Sequence, residues 1–323
     1  MCDLLRCHLV ILLTIPFLML PVVRDLGAQD YPNRAVRITT SEPGGGSDAA
    51  ARLIAQGISG PLGQQVIVDN RPGTIAIDAV ARAAADGYTM LLYGSVIWVE
   101  PLLRARPLWD PLRDFSPITT VTRSPNIAVV HPSLPVKTIK DFIALAKSKP
   151  GQLNYSSALI GSTQHLAGEL FKTMAGVNIV HVPYKGGVAA LNDVLAGRIE
   201  LMFPTITPAV PMLKSGRLRA LAVTSAQPTP LAPNVPTVAA SGLPGYESVS
   251  LLGVLVPAGT SAAIINRLNQ EIVQVLRRPA TRDRFFDMGL ETVDSTPEQF
   301  ASTMKSEIAK WTKVIKNANI HIQ

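Results

Sequence analysis

Val36-Arg37-Ile38-Thr39-Thr40-Ser41-Glu42-Pro43-Gly44-Gly45-Gly46-Ser47-Asp48-Ala49-Ala50 is the stretch on which the fold turns. Val36 to Thr40 is a β-branched run that predicts a short strand, and Pro43 with three glycines stops it. Ser47 is placed to cap a helix from Asp48 to about Ser59, because Ala50, Leu53, Ile54 and Ile58 fall on one helical face. Beyond it, Gln65 to Asp69 reads as a strand, Ile77 to Ala84 as a short helix and Thr89 to Tyr93 as a third strand. Strand and helix alternating in such short units predict a parallel, Rossmann-like opening.

The alternation resumes further on. Ile127 to Val130, Gln152 to Tyr155, Ile179 to Val182 and Ile199 to Phe203 read as strands, with helices at Ile139 to Ser148, from Gly161-Ser162 to about Met174, and at Ala189 to Ala196. Val210 to Leu213 and Leu218 to Val223 complete this second block, and the proline-rich stretch Pro228 to Pro236 reads as a crossing segment. Leu251 to Val256 is a further strand, followed by helices over Ala262 to Leu276, Ala280 to Met288 and Pro297 to Ile315. The pattern is α/β throughout and divides into a first lobe (29–125), a second lobe (126–228) and a return to the first (229–323).

Composition narrows the function. The 323 residues are 47% hydrophobic and 16% charged, which excludes a disordered chain. A single continuously apolar stretch excludes a polytopic membrane protein. The 30 basic and 23 acidic residues give a net charge of +7, but the basic ones are dispersed without a basic, aromatic-rich patch, so no nucleic-acid partner is expected. The apolar stretch, Leu9 to Val23, follows Arg6 and His8, precedes Gly27-Ala28 and contains Pro16 and Pro21. That is the pattern of a secretory signal peptide cleaved near Ala28, too short for a bilayer span. Cleavage would also remove Cys2 and Cys7, leaving an exported protein without cysteine, disulfide or thiol chemistry. No metal cluster and no cofactor motif is expected from the remaining residues.

Two loops carry the chemistry. In Gly44-Gly45-Gly46-Ser47-Asp48 the glycines allow a ligand to approach the backbone, and the helix that follows presents unpaired N–H groups that attract an anion. The loop is neither a Walker A motif nor GxGxxG, since position 49 is Ala. The second loop, Ser156-Ser157-Ala158-Leu159-Ile160-Gly161-Ser162-Thr163, again brings hydroxyls to a helix start, with Gln164 and His165 beyond it. Each loop alone is equally a glycine turn with a cap; together, one per lobe, they form a clamp for an anion with two acidic ends. Tyr184-Lys185-Gly186-Gly187 offers hydroxyl, charge and amides at another helix start, and Arg71 either faces an anion or holds its own loop. A catalytic assignment finds no support: there is no G-x-S-x-G elbow, and Glu169, one turn from His165, supplies no nucleophile with its base.

The ordered set of short motifs resembles the extracytoplasmic solute receptors of the tripartite tricarboxylate transporter family, the Bug proteins. The first lobe contributes Tyr31-Pro32-Asn33-Arg34, Pro43 to Asp48, Asp69-Asn70-Arg71-Pro72-Gly73 and Asp86-Gly87-Tyr88-Thr89. The second contributes Leu153 to Ser157, His165 to Phe171 and Val182 to Gly187; Gly242-Leu243-Pro244-Gly245-Tyr246 and Pro257-Ala258-Gly259-Thr260 follow. The resemblance covers residues 31–320. It implies a periplasmic-binding-protein-like Venus flytrap, with two Rossmann-like lobes around a ligand cleft, that holds a small carboxylate and delivers it to a membrane permease. A ligand-sensing subunit and a secreted α/β enzyme are the alternatives. It further implies a soluble periplasmic monomer without cofactor. Carried onto this chain, the ligand-binding set is Ser41, Gly45, Gly46, Ser47 and Asp48 from the first loop, and Ser157, Gly161, Ser162, Thr163 and His165 from the second. Tyr184 and Lys185 join it.

Departures from the family pattern concern the ligand. Glu42 stands where a small residue or proline is usual, Leu159-Ile160 where small polar residues or glycine are common, and Leu251 where tryptophan is frequent. Glu42 would repel a carboxylate if it entered the cleft, or welcome an ammonium group there, and Leu159 with Ile160 would wall it with apolar surface. These residues point to a ligand with one carboxylate and a less polar body.

Overall fold

Strand β1 (Val36–Thr40) pairs in parallel with both β2 (Val66–Asn70) and β3 (Thr89–Gly94), as the alternation predicts. The structure, a computed structural model, describes residues 31–321; the expected signal peptide and its cleavage site lie outside the described residues. Helix α1 (Gly46–Leu62) buries Ala50, Ile54 and Ile58 completely against the sheet and ends at Gly63, whose φ of 67° suits glycine. It starts two residues earlier than the sequence suggests: Gly45 is the N-cap, and Ser47 lies inside the first turn, capping nothing. Helix α2 (Ile75–Ala81) covers the same sheet.

Periodicity does not disclose the next two elements. Helix α3 (Val96–Leu103) is apolar around most of its surface, and strand β4 (Phe115–Pro125) is buried along most of its length but carries threonines and serines among its buried residues, so neither shows the alternation that periodicity reads. Trp109 fixes α3 from the following loop, its Nε1–H donating to the Ile97 carbonyl at 2.6 Å. Strand β4 pairs antiparallel with β10 (Val249–Pro257), which pairs antiparallel with β3. With β11 (Glu291–Thr292) the first sheet runs β11-β4-β10-β3-β1-β2.

The second sheet takes β5 (Ile127–Val130), β6 (Asn154–Ser157), β7 (Val180–Pro183), β8 (Leu201–Met202) and β9 (Arg219–Val223) in the order β7-β6-β8-β5-β9. Its helices are α4 (Ile139–Ser148), α5 (Thr163–Ala175), α6 (Gly187–Leu195) and α7 (Ile206–Lys214). Helix α5 can lie close to β6 because it carries Gly168 over the Tyr155 ring, where a Cβ would stand 2.2 Å from a ring carbon. The last helices are α8 (Ala262–Arg277), α9 (Pro279–Asp287) and α10 (Pro297–Ala318). Helix α10 packs on β4, α3 and α5, so it touches elements of both lobes.

The chain passes from the first sheet to the second at Asn126 and returns at Ser248. Both crossings are bonded to Thr224, the residue after β9. Asn126 N–H donates to Thr224 Oγ1 at 2.7 Å, Thr224 Oγ1 donates to the Asn126 carbonyl at 3.0 Å, and Ser248 N–H donates to the Thr224 carbonyl at 2.9 Å. The sequence places the return to the first lobe at residue 229, but the chain stays with the second lobe for longer. Thr237 bridges Val223 of β9, and the Tyr246 hydroxyl donates to the Ala167 carbonyl of α5 at 2.8 Å.

Candidate functional site

Strand register determines which loops face each other. Leu252 of β10 opposes Gly94, and Val249 opposes Pro125, so the C-terminal ends of β1, β3 and β4 share the edge from which the chain leaves for the second lobe. In the second sheet Ile127 opposes Val223 and Val129 opposes Met202, while β6 runs parallel to β7 and β8. The C-terminal ends of β6, β7, β8 and β9 therefore share the edge at which it arrives. Helices α1 and α3 start on one side of this crevice, and α5, α6 and α7 on the other. Open α/β sheets bind ligands outside the carboxyl ends of their strands, where helix N-termini concentrate unpaired amides.

On the first side, the earliest bond of α1 runs from Ala49 N–H to the Gly45 carbonyl, and the amides of Gly46, Ser47 and Asp48 have no partner among the described residues. The Ser47 hydroxyl is equally unengaged. Asp48 is different. Its Oδ2 accepts from Gly44 N–H at 2.9 Å, and its Oδ1 accepts from Asn70 Nδ2 at 2.9 Å and meets Arg52 Nε at 3.0 Å. Burial alone would raise its pKa, but the bonds from Gly44, Asn70 and Arg52 outweigh burial and hold it below the ordinary value. Asp48 thus shapes the glycine loop from behind. Ser41 is held through its carbonyl, which accepts from Asn70 at 2.8 Å. Glu42 bends toward the next loop, where Oε1 accepts from Gly73 N–H at 2.8 Å. Arg71 donates to Asp69 at 2.9 Å and holds its own turn.

On the second side, Ser162 caps α5 by accepting from His165 N–H at 3.3 Å. The amides of Thr163 and Gln164 and the Thr163 hydroxyl have no partner among the described residues. Two residues expected at the ligand are turned inward. Ser157 is fully buried, its Oγ 2.7 Å from His181 Nε2, and His165 is 3% exposed. The His165 ring accepts from Gly161 N–H at Nδ1 (3.1 Å), stacks on His181 and leaves Nε2 as its one donor. Burial, then the positive charge that His181 and Lys172 can carry, push its pKa down to about 3, so the ring is neutral. Glu169 does not pair with it: the carboxylate takes the Tyr155 hydroxyl at 2.5 Å and Lys172 at 2.8 Å.

Beside this loop, Tyr184 gives its hydroxyl to Asp193; burial and that carboxylate raise its pKa to about 12. Lys185 is exposed, and Gly186 begins α6 without a side-chain cap. One residue escaped the sequence reading. Glu100 on α3 is 7% exposed, pairs with Arg104 through Oε1, and has a buried Oε2 without a partner among the described residues. The signal that reveals it is one acid in the otherwise apolar run Val96 to Leu103.

Two α/β lobes, connected by paired crossings and facing each other with helix N-termini, define an extracytoplasmic solute-receptor architecture. Residues 50–320 match the tripartite tricarboxylate transporter family receptor, and the chain belongs to that family. Protein BugT of Bordetella pertussis is 33% identical over 308 residues, 94% of each chain. The Rhodopseudomonas palustris protein Rpa4515, solved with adipate, is 38% identical, with a TM-score of 0.74 over 90% of this chain and 99% of that one. MatC from the same organism, solved with malate, is 28% identical, with a TM-score of 0.70 over 88% of this chain and all of that one. Among the described residues, no helix is long and apolar enough to cross a membrane.

Proposed function

We propose that this receptor captures a small organic acid in the crevice and presents it to the membrane permease subunits of a tripartite carboxylate transporter. The observation that carries the reading is the strand register, which turns the free amides of α1 and α5 toward one crevice. A carboxylate on such amides gains charge-assisted hydrogen bonds without a basic side chain. Gly45, Gly46 and Ser47 form one seat; the amides of Thr163 and Gln164 with the Thr163 hydroxyl form the other, on a turn that Gly161 and Ser162 shape through their bonds to His165, with Lys185 adding positive charge at the rim. Ser41, Asp48, Ser157, His165 and Tyr184 act behind these seats by fixing loop shape. The carboxylates held by Rpa4515 and MatC support the ligand class. The protein works in the periplasm as a monomer and performs no chemistry on its ligand.

A thermal-shift screen of protein spanning residues 29–323, unfolded and refolded to strip carried-over ligand, tests this. A ligand that binds only the native state raises the melting temperature. At least one mono-, di- or tricarboxylate should do so, and changing Ser47 to a bulky residue should abolish the shift. A flat response to every acid would remove the carboxylate reading.

A further inference from the structure

Eleven large apolar side chains are exposed among the described residues, and five of them gather in one part of the fold. Ile75 opens α2, Val96 opens α3, Leu159 and Ile160 stand in the loop before α5, and Val188 lies in the first turn of α6. Each follows the carboxyl end of a parallel strand, so all five stand at the crevice between the lobes. Apolar side chains scattered singly over a surface need no cause, but a cluster around a ligand crevice does.

Between α3 and the loop this apolar surface closes into a cavity of about 270 Å³. Val96, Val99 and Leu103 line it from the first lobe, and Leu159 and Ile160 from the second. Leu103 reaches the loop at Gly161, where a Cβ would stand 2.6 Å from its Cδ1, so the two walls meet. The cavity extends to Gly161 and Ser162, the residues that shape the turn carrying the Thr163 and Gln164 amides. Among the described residues Glu100 is the only charged one lining it, and no lysine or arginine does.

That lining decides what the space can hold. A carboxylate placed there would give up water beside an acid, with no cation in the lining to replace it. A methylene chain or a ring would instead take apolar surface out of water on both walls. We infer that this receptor is selective for monocarboxylates with an apolar body, the carboxylate on the α5 seat and the body between Val96 and Val99 on one side and Leu159 and Ile160 on the other. The inference rests on the carboxylate reading above and narrows it to one class of acid. The cavity lies just below the roughly 300–1,000 Å³ typical of drug-sized ligand sites, which suits a small metabolite.

Calorimetry with matched probes tests it: butyrate, hexanoate, benzoate and cyclohexanecarboxylate against the diacids succinate and adipate. Affinity should rise roughly fourfold per added methylene from butyrate to hexanoate. Hexanoate should bind about tenfold or more tighter than adipate, which has the same number of carbons but ends in a second carboxylate. The double variant Leu159→Ser, Ile160→Ser alters two exposed side chains, and in it the dependence on chain length should flatten. Its unfolding temperature without ligand checks that it folds. Affinity independent of chain length, adipate binding as tightly as hexanoate, or an undiminished dependence in the folded variant would overturn the inference while leaving the carboxylate reading intact. Binding of none of these acids, nor of any other carboxylate, overturns both. The wild-type series decides the matter even if the variant folds poorly.

Discussion

The imidazoles of His165 and His181 lie face to face, 4.1 Å between centroids and 27° between planes, and the Tyr155 ring stacks against both, 4.8 Å from His181 and 6.5 Å from His165. Neither ring can accept a proton cheaply here. His165 is buried and His181 half-buried, each would charge beside the other, and Lys172 stands over the Tyr155 ring. Glu169 favours the charged form of His181, but its carboxylate is already committed to Tyr155 and Lys172. The stack holds the loop before α5 in place through the Gly161 amide and the Ser157 hydroxyl.

Stability should therefore fall on acidification. The folded His165 pKa is about 3 against an ordinary 6.5, so between these values the unfolded chain binds more protons. Stability contributed by the neutral ring is fully present above about 6.5 and is lost as the pH falls toward 3, with a slope of up to about 1.4 kcal/mol per pH unit for each histidine. Urea unfolding at pH 7.5, 6 and 5 measures the slope, and His165→Gln should flatten it. An unchanged slope in that variant would place the acid sensitivity elsewhere.

Asp48→Ala should destabilise the first lobe by roughly 2–3 kcal/mol, because Gly44 N–H and the Asn70 amide lose a charged acceptor. Asp48→Asn, which keeps one carbonyl acceptor, should fall between. Amide exchange at Gly44 reports the loop directly, and exchange as slow as in wild type would contradict the assignment.

Gly161→Ala meets two obstacles. Its φ is +80°, and the new methyl would sit 2.6 Å from Leu103 Cδ1 across the lobes. The backbone alone costs about 1–2 kcal/mol. Adding Leu103→Ala should recover the steric part and leave the backbone part, a coupling that a double-mutant cycle reads. Strict additivity would mean that the loop and α3 do not touch in solution.

Gly168→Ala should cost about 1–3 kcal/mol by driving a methyl into the Tyr155 ring, and more if the stack on His181 is pushed aside. Near-ultraviolet circular dichroism, which follows Tyr155, should change together with the urea midpoint. A variant as stable as wild type would mean that α5 can slide off β6.

Much of this was legible in the chain because local patterns and tertiary environment agree. The β-branched run Val36 to Thr40 and the face Ala50, Ile54, Ile58 are simple amphipathic signals. Helix α3 and strand β4 were not legible, since burial on several sides removes the alternation that periodicity needs. At the site, residue type located the loops but not the direction of each side chain. Ser157 and His165 look like ligand contacts in sequence, and in the fold they are bonded to His181 and to Gly161 N–H. Ser47 looks like a cap, but the helix starts earlier, at Gly46, with Gly45 in extended backbone as its N-cap and the preceding turn taken by Gly44 at a φ of 86°. Glu100 passed unnoticed because a lone acid in an apolar helix has no period.

The pairing of β4 with β10 has a consequence for how the protein is made. Everything between Pro125 and Val249 belongs to the second sheet or to the strap beside it, so that region is one uninterrupted piece of chain that can close on its own contacts. The first sheet cannot. Its two central antiparallel pairings wait for β10, and the loop that must close is the whole of the other lobe. Made N-terminus first, the chain holds β1, β2 and β3 as an unfinished edge while its middle condenses. The slow step of folding is then the late arrival of one strand, and a newly made chain is most vulnerable to aggregation and proteolysis in the interval before Val249–Pro257 slots between its neighbours.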